Sequence, residues 1–172
     1  MSGHTHLTGD KVVTFCDRRC NVIAPFVSAP GNRNESPLLS EALPRLSHIA
    51  RAIGMDLQGA TVSLDGGYDC QVNRKATFNR GMIPNIPENP LGRKAPKRSR
   101  KLRFDPAISD KRFRTAELVF AWADQIRRLL LRFERLSPVH HAFKTRAHTM
   151  INLRHYCSIS ADASPMAIAS LA

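Results

Sequence analysis

The hydrophobic pattern begins with two runs of strand character. Lys11-Val12-Val13-Thr14-Phe15 and Asn21-Val22-Ile23-Ala24-Pro25-Phe26-Val27 predict a pair of strands, with Asp17, Arg18, Arg19 and Cys20 as a short hairpin turn between them. Ala29-Pro30-Gly31-Asn32 reads as a loop. The period then changes from two to that of a helix. Ser36-Pro37 is a cap followed by a proline at the first helical position. Leu38, Leu39, Ala42, Leu46, Ile49 and Ile53 keep helical spacing up to a stop at Gly54. A short strand follows over residues 60–64, with Asp65 at its C-terminal end. Gly66 and Gly67 turn the chain, and Asp69 stands where it would cap a helix reaching about Asn79. Met82-Ile83-Pro84-Asn85-Ile86 predicts one more strand, placed at a sheet edge by its proline.

Residues 84–106 read as a linker, because Pro84, Pro87, Pro90, Pro96 and Pro106 exclude regular structure. Beyond it the spacing predicts a long helix over residues 109–136. Its buried stripe would be Leu118, Trp122, Ile126, Leu129, Phe133 and Leu136. A second line on that helix runs Glu117, Ala121, Asp124, Arg128, Arg132 and Arg135. A last helix is expected over residues 139–154, and residues 158–172 form a weakly patterned tail expected to carry no regular structure. The elements together predict an α/β fold.

Charge changes the picture. The formal net charge is +12 in 172 residues, a length that suits one domain with a real core. Residues 71–155 carry twenty basic side chains against six acidic ones, and the remainder carries six against eight. The excess is therefore confined to the second half, as expected of a surface that meets a polyanion. Arg93, Lys94, Lys97, Arg98, Arg100, Lys101 and Arg103 crowd the linker. They suit either phosphate contacts or a solvated basic loop. Four cysteines, no apolar leader and no apolar run of membrane-spanning length lead to the expectation of a cytoplasmic chain with reduced thiols and no membrane partner. Cys16 and Cys20, with His4 and His6 nearby, match no standard zinc spacing.

Several segments carry a more specific signal. Ser63-Leu64-Asp65-Gly66-Gly67-Tyr68-Asp69 resembles the second-aspartate motif of DDE transposases of bacterial insertion sequences. Asn73-Arg74-Lys75, Phe78-Asn79-Arg80-Gly81-Met82-Ile83-Pro84-Asn85-Ile86 and the basic linker are also similar to these enzymes. So are Glu117-Leu118-Val119-Phe120-Ala121-Trp122, Arg127-Arg128-Leu129, Arg132-Phe133-Glu134 and Met150-Ile151-Asn152-Leu153-Arg154-His155. The likeness covers about residues 4–156, in order.

The resemblance implies an RNase H-like fold, a mixed sheet flanked by helices, with residues 1–157 as part of a catalytic domain. It also implies DNA transposition by strand cleavage and strand transfer. Both steps are in-line phosphoryl transfers, in which two magnesium ions held by carboxylates stabilise the attacking and leaving oxygens. Asp65 and Glu117 match the second and third carboxylates of the family and are the expected catalytic and metal-binding residues. Read alone, Asp65 could equally be a turn residue and Glu117 an ordinary helix acid. Arg74, Lys75, Arg114, Arg127, Arg128 and Arg132, with the basic residues of the linker, are the expected contacts to transposon ends and target DNA.

The chain also departs from the pattern. The family's first aspartate lies on a central first strand, upstream of the segment that matches residues 11–13, and neither Asp10 nor Asp17 takes its place. The expectation is a catalytic fold truncated at its N-terminus and inactive alone, with a second copy of itself or an upstream transposase fragment as its protein partner. Arg112 and Arg114 flank the position four before Glu117 where relatives carry arginine, and Asp124 replaces a lysine. A non-catalytic nucleic-acid-binding protein is the alternative.

Overall fold

In a computed structural model the described residues are 10–23, 26–89, 103–126, 134, 136–158 and 168–171. They form a mixed α/β arrangement. Strand β1 spans Asp10–Asp17 and β2 spans Val27–Pro30. Helix α1 is Leu38–Ala52, β3 is Thr61–Ser63, and a single 3₁₀ turn covers Gly66–Tyr68. Helix α2 is Gln71–Phe78 and β4 is Ile83–Asn85. Two longer helices follow, α3 over Pro106–Asp124 and α4 over Ser137–Ser158, and β5 is Ile168–Leu171. The strand order is β2-β1-β5-β3-β4. β1 runs antiparallel to both β2 and β5, while β5, β3 and β4 are mutually parallel.

Helices cover both faces of this sheet, which explains why β1 is buried on both sides. Val13 and Phe15 point into the larger core, with Val27, Val62, Leu64, Tyr68 and the leucines of α1. Cys16 points the other way, into a smaller cluster with Cys20, Ala116 and Val119. Strands covered on both faces read as continuous apolar runs, as β1 does. Leu38, Leu39, Leu43 and Leu46 are wholly buried, and each contributes about 1.5–3 kcal/mol by leaving water. That packing outweighs the cost of the exposed Pro44 inside α1, about 3 kcal/mol. It also makes a side-chain cap dispensable. The helix closes as expected around Gly54, whose φ is 70°, with Met55 N donating to Ala50 O at 2.8 Å.

Several expectations need correction. Ser36 does not cap α1; the N-cap is Pro37, without a side-chain bond, and the Ser36 hydroxyl instead accepts from Asn73 Nδ2 at 2.8 Å. The return arm of the hairpin touches β1 only by a bridge at Val22 before the regular ladder begins at Val27. Ala29 and Pro30 are therefore strand, not loop. Ala24 and Pro25 of the expected run lie outside the described residues.

The 109–136 helix is also revised. It starts earlier, at Pro106, because Asp105 caps it by accepting from Ala107 N and Ile108 N. It ends at Asp124. Its buried positions are Thr115, Ala116, Val119 and Ala123; of the expected stripe, Trp122 and Ile126 are half-buried against core clusters, Leu118 and Leu136 are exposed, and Leu129 and Phe133 lie outside the described residues. Small residues let α3 lie close on Cys16 and Cys20, and packing of this kind decides which face is inward. Ser137-Pro138 opens α4 as a separate helix, a start signal outranked by the apparent continuity of the apolar spacing. The edge position of β4, with Pro84 in it, is as expected. The largest correction is β5: residues 168–171, expected to be without regular structure, hold a central place in the sheet.

Candidate functional site

Asp65 follows the C-terminal end of β3 in extended conformation, with ψ 160°. Its carbonyl accepts Tyr68 N at 3.0 Å and starts the 3₁₀ turn, but its carboxylate makes no cap bond and is exposed. A turn aspartate ordinarily uses its carboxylate on a nearby amide. Other aspartates of the chain do so. Asp17 Oδ1 accepts the amides of Arg19 and Asn21 at 2.8 Å each, Asp56 accepts Gln58 N, and Asp105 caps α3. Asp65 thus carries a turn without using its side chain for it.

Tyr68 is buried to 1% exposure in the main core, and its phenol oxygen has no hydrogen-bond partner among the described residues. Burial pushes its pKa up, the Glu35 and Asp65 carboxylates add to this, and the Arg112 guanidinium opposes it. Arg112 lies on α3, so this electrostatic neighbourhood links the start of α3 to the Asp65 end of β3. Tyr68 is a packing ring of the main core.

Glu117 lies one position beyond the buried Ala116 and is exposed. α3 packs against both β3 and β5. Arg114, Phe113 and Phe120, three or four residues away along the helix, are exposed with Glu117 on one side of α3. No ion pair among the described residues involves Asp65 or Glu117. Magnesium requires hard oxygen ligands in near-octahedral array. Asp65 and Glu117 offer the right donor atoms, yet among the described residues no three His, Cys, Asp or Glu side chains gather to hold a metal. The described donors do not by themselves fit a metal pair.

The expected DNA contacts divide. Arg74 is held inside: Nε and Nη2 donate to Asp69 Oδ1 at 3.0 and 2.9 Å, and Nη2 also donates to Ile86 O at 2.8 Å. Asp69 Oδ2 accepts Asn89 N at 2.9 Å. Asp69 therefore ties α2 to the segment that follows β4 rather than capping α2. The cap is Cys70, whose Sγ accepts Asn73 N at 3.4 Å. Lys75, Arg103 and Arg114 are exposed. Arg93, Lys94, Lys97, Arg98, Arg100, Lys101, Arg127, Arg128 and Arg132 lie outside the described residues.

The motifs also contain asparagines whose role was not evident from sequence. Asn85 Oδ1 accepts Asp105 N at 2.7 Å while its Nδ2 donates to Asp105 O at 3.0 Å, which fixes the start of α3 to β4. Asn152 Oδ1 accepts Val22 N at 3.0 Å and its Nδ2 donates to Val22 O at 2.9 Å, so α4 grips the hairpin as a strand would. His155 Nδ1 lies 2.8 Å from Asn21 Oδ1, and its ring meets Trp122 edge-on at 5.1 Å. Asn73 Nδ2 donates to Ser36 Oγ and to Tyr68 O. A polar residue at an apolar phase was the available signal, since a buried amide must be bonded. His140 and His141 have helix-packing surroundings, including the Phe26 ring 6.5 Å from His141. The Cys16 and Cys20 thiols are free and buried together, and burial raises the pKa of both. Protonated thiols in an apolar cluster are poor metal ligands.

Comparison with protein families, with curated proteins and with solved structures found no match.

Proposed function

We propose that this chain is a DNA-binding part of an RNase H-like strand-transfer domain of the DDE transposase type, and that it does not cut DNA alone. The observation that carries the reading is Asp65, a carboxylate left exposed and free of turn bonds at the C-terminal end of a parallel strand. Open α/β sheets bind their ligands beyond that end of their strands. Glu117 on a helix packed against β3, and the exposed cations Lys75, Arg103 and Arg114, support the same reading. The mixed strand directions and the helices on both faces are compatible with the family fold.

Inactivity alone follows from the donor set. Two carboxylates would leave the charge of a metal pair poorly compensated, and a third would have to come from elsewhere. The second reading is a nucleic-acid-binding protein with no catalytic role, which the basic excess of residues 71–155 supports equally. A strand-nicking assay with magnesium separates them. Under the first reading, supplying an upstream transposase fragment creates cleavage that Asp65→Ala or Glu117→Ala abolishes, while DNA affinity holds or rises as repulsion is lost. Under the second, no added fragment produces cleavage.

A further inference from the structure

The C-terminal ends of α3 and α4 border a cavity of about 440 Å³. That lies within the range usual for small-molecule sites, about 300–1,000 Å³. Trp122 and Ile126 line it from the α3 side, and Met150, Ile151, Arg154 and His155 line it from α4. The apolar walls suit a flat hydrophobic body, and the exposed Arg154 adds a positive charge.

His155 is set in place from behind by a chain of hydrogen bonds. Asp17 is buried, and its Oδ1 accepts the amides of Arg19 and Asn21. Its Oδ2 accepts Asn21 Nδ2 at 2.9 Å, which turns the Asn21 carbonyl toward His155. A carbonyl only accepts, so His155 Nδ1 is the donor across the 2.8 Å to Asn21 Oδ1. That bond selects the tautomer, and Nε2 of the neutral ring is left as an acceptor. Among the described residues Nε2 has no hydrogen-bond partner, and it is not closed off from solvent. The edge-on contact with Trp122, at 5.1 Å, steadies the ring.

The occupant must therefore bring an aromatic body for Trp122, an N–H for Nε2 and an anion for Arg154. Inorganic phosphate lacks the first, an aromatic carboxylate the second and a nucleoside the third. A nucleotide has all of them: its base stacks on aromatic side chains and carries N–H groups on its edge, and its phosphate pairs with arginine. We propose that this cavity binds a mononucleotide, with the base beside Trp122, a base N–H on His155 Nε2 and the phosphate on Arg154. Asn21 and Asp17 are positioning residues that fix the His155 tautomer. This inference uses neither Asp65 nor Glu117, and its test contains no DNA strand.

Trp122 is the only tryptophan of the chain, so its fluorescence reports on this cavity directly. The probes are the deoxynucleoside monophosphates, added singly to the full chain, with the matching nucleosides, inorganic phosphate and benzoate as controls. At least one nucleotide should quench Trp122 saturably, and every control should bind about tenfold more weakly or worse. His155→Phe keeps a ring against Trp122 but removes the acceptor, and should weaken nucleotide binding about tenfold. Arg154→Gln should abolish the preference for nucleotide over nucleoside. Asn21→Ala should weaken binding yet keep that preference, since it acts only through His155. Circular dichroism confirms that each variant is folded, and the control panel on the unaltered chain needs no variant at all. The proposal is overturned if no nucleotide quenches Trp122, or if a nucleoside or benzoate binds as tightly as the nucleotide. It is overturned equally if folded His155→Phe and Arg154→Gln chains bind the nucleotide as the wild type does.

Discussion

Arg74→Ala would remove the guanidinium from a carboxylate that has almost no access to water. The Asp69 and Arg74 side chains are 4% and 13% exposed, and they meet at 2.9 Å. The change deletes two N–H donors to Asp69 Oδ1 and the bond to Ile86 O, and it leaves the Asp69 charge buried. Breaking a buried pair from one side costs about 3–5 kcal/mol, and the partial exposure of Arg74 argues for the lower end, about 3 kcal/mol. For a chain of this size each kcal/mol lowers Tm by about 2–4 °C, so thermal unfolding should shift down by about 6–12 °C. The competing idea is that Arg74 contacts a DNA phosphate. In that case Tm should barely move, and the slope of log affinity against log salt should shrink by about one. Thermal unfolding by circular dichroism, paired with a salt titration of DNA binding well below Tm, reads both quantities. A Tm within a degree or two of wild type, together with a reduced salt slope, would refute the structural account of Arg74.

Asn85→Ala should cost about 2–3 kcal/mol, since two bonds to the Asp105 main chain are lost and those groups are left without their partner; urea unfolding checks this. Asn152→Ala should cost about 2 kcal/mol by releasing α4 from Val22, and amide hydrogen exchange should speed up at Val22 before it does in α1. His148 packs on Phe26 at 5.3 Å, and burial, with a smaller push from Lys144, lowers its pKa from 6.5 to about 4. A depressed histidine pKa means the unfolded chain takes up the proton first. The contribution is therefore fully present above pH 6.5 and is lost as pH falls toward 4, by at most about 3 kcal/mol. A His148→Phe chain should lose less stability over that interval, measured by unfolding at a series of pH values.

The parts of the fold that were legible in the sequence are those set by local pattern. α1 declared itself through leucine spacing and Gly54, β3 through the alternating segment Ala60-Thr61-Val62-Ser63-Leu64, and the edge position of β4 through Pro84. What was not legible depends on partners distant in sequence. The inward face of α3 is chosen by the small space beside Cys16 and Cys20, which favours Ala116 and Val119 over the larger Leu118. β5 has weak strand chemistry and takes its conformation from the two strands it lies between. Asp69 sits two positions before α2, one too early to cap it, so Cys70 is the cap and the aspartate meets Arg74 instead. At the candidate site, the motif resemblance alone singled out Asp65 and Glu117, whereas the asparagine clamps that hold α3 and α4 became visible only once the chain was folded.

The central claim is that this chain binds DNA through its basic half and cannot cut it alone. The most direct test is a titration of duplex DNA binding from low to high salt in magnesium, with the same samples run on a denaturing gel. The account predicts that log affinity falls linearly with log salt, with a slope showing that several phosphates are neutralised, and that the strands remain intact. Salt-independent or absent binding would contradict the DNA partner, and efficient magnesium-dependent nicking by the chain alone would contradict the incomplete site.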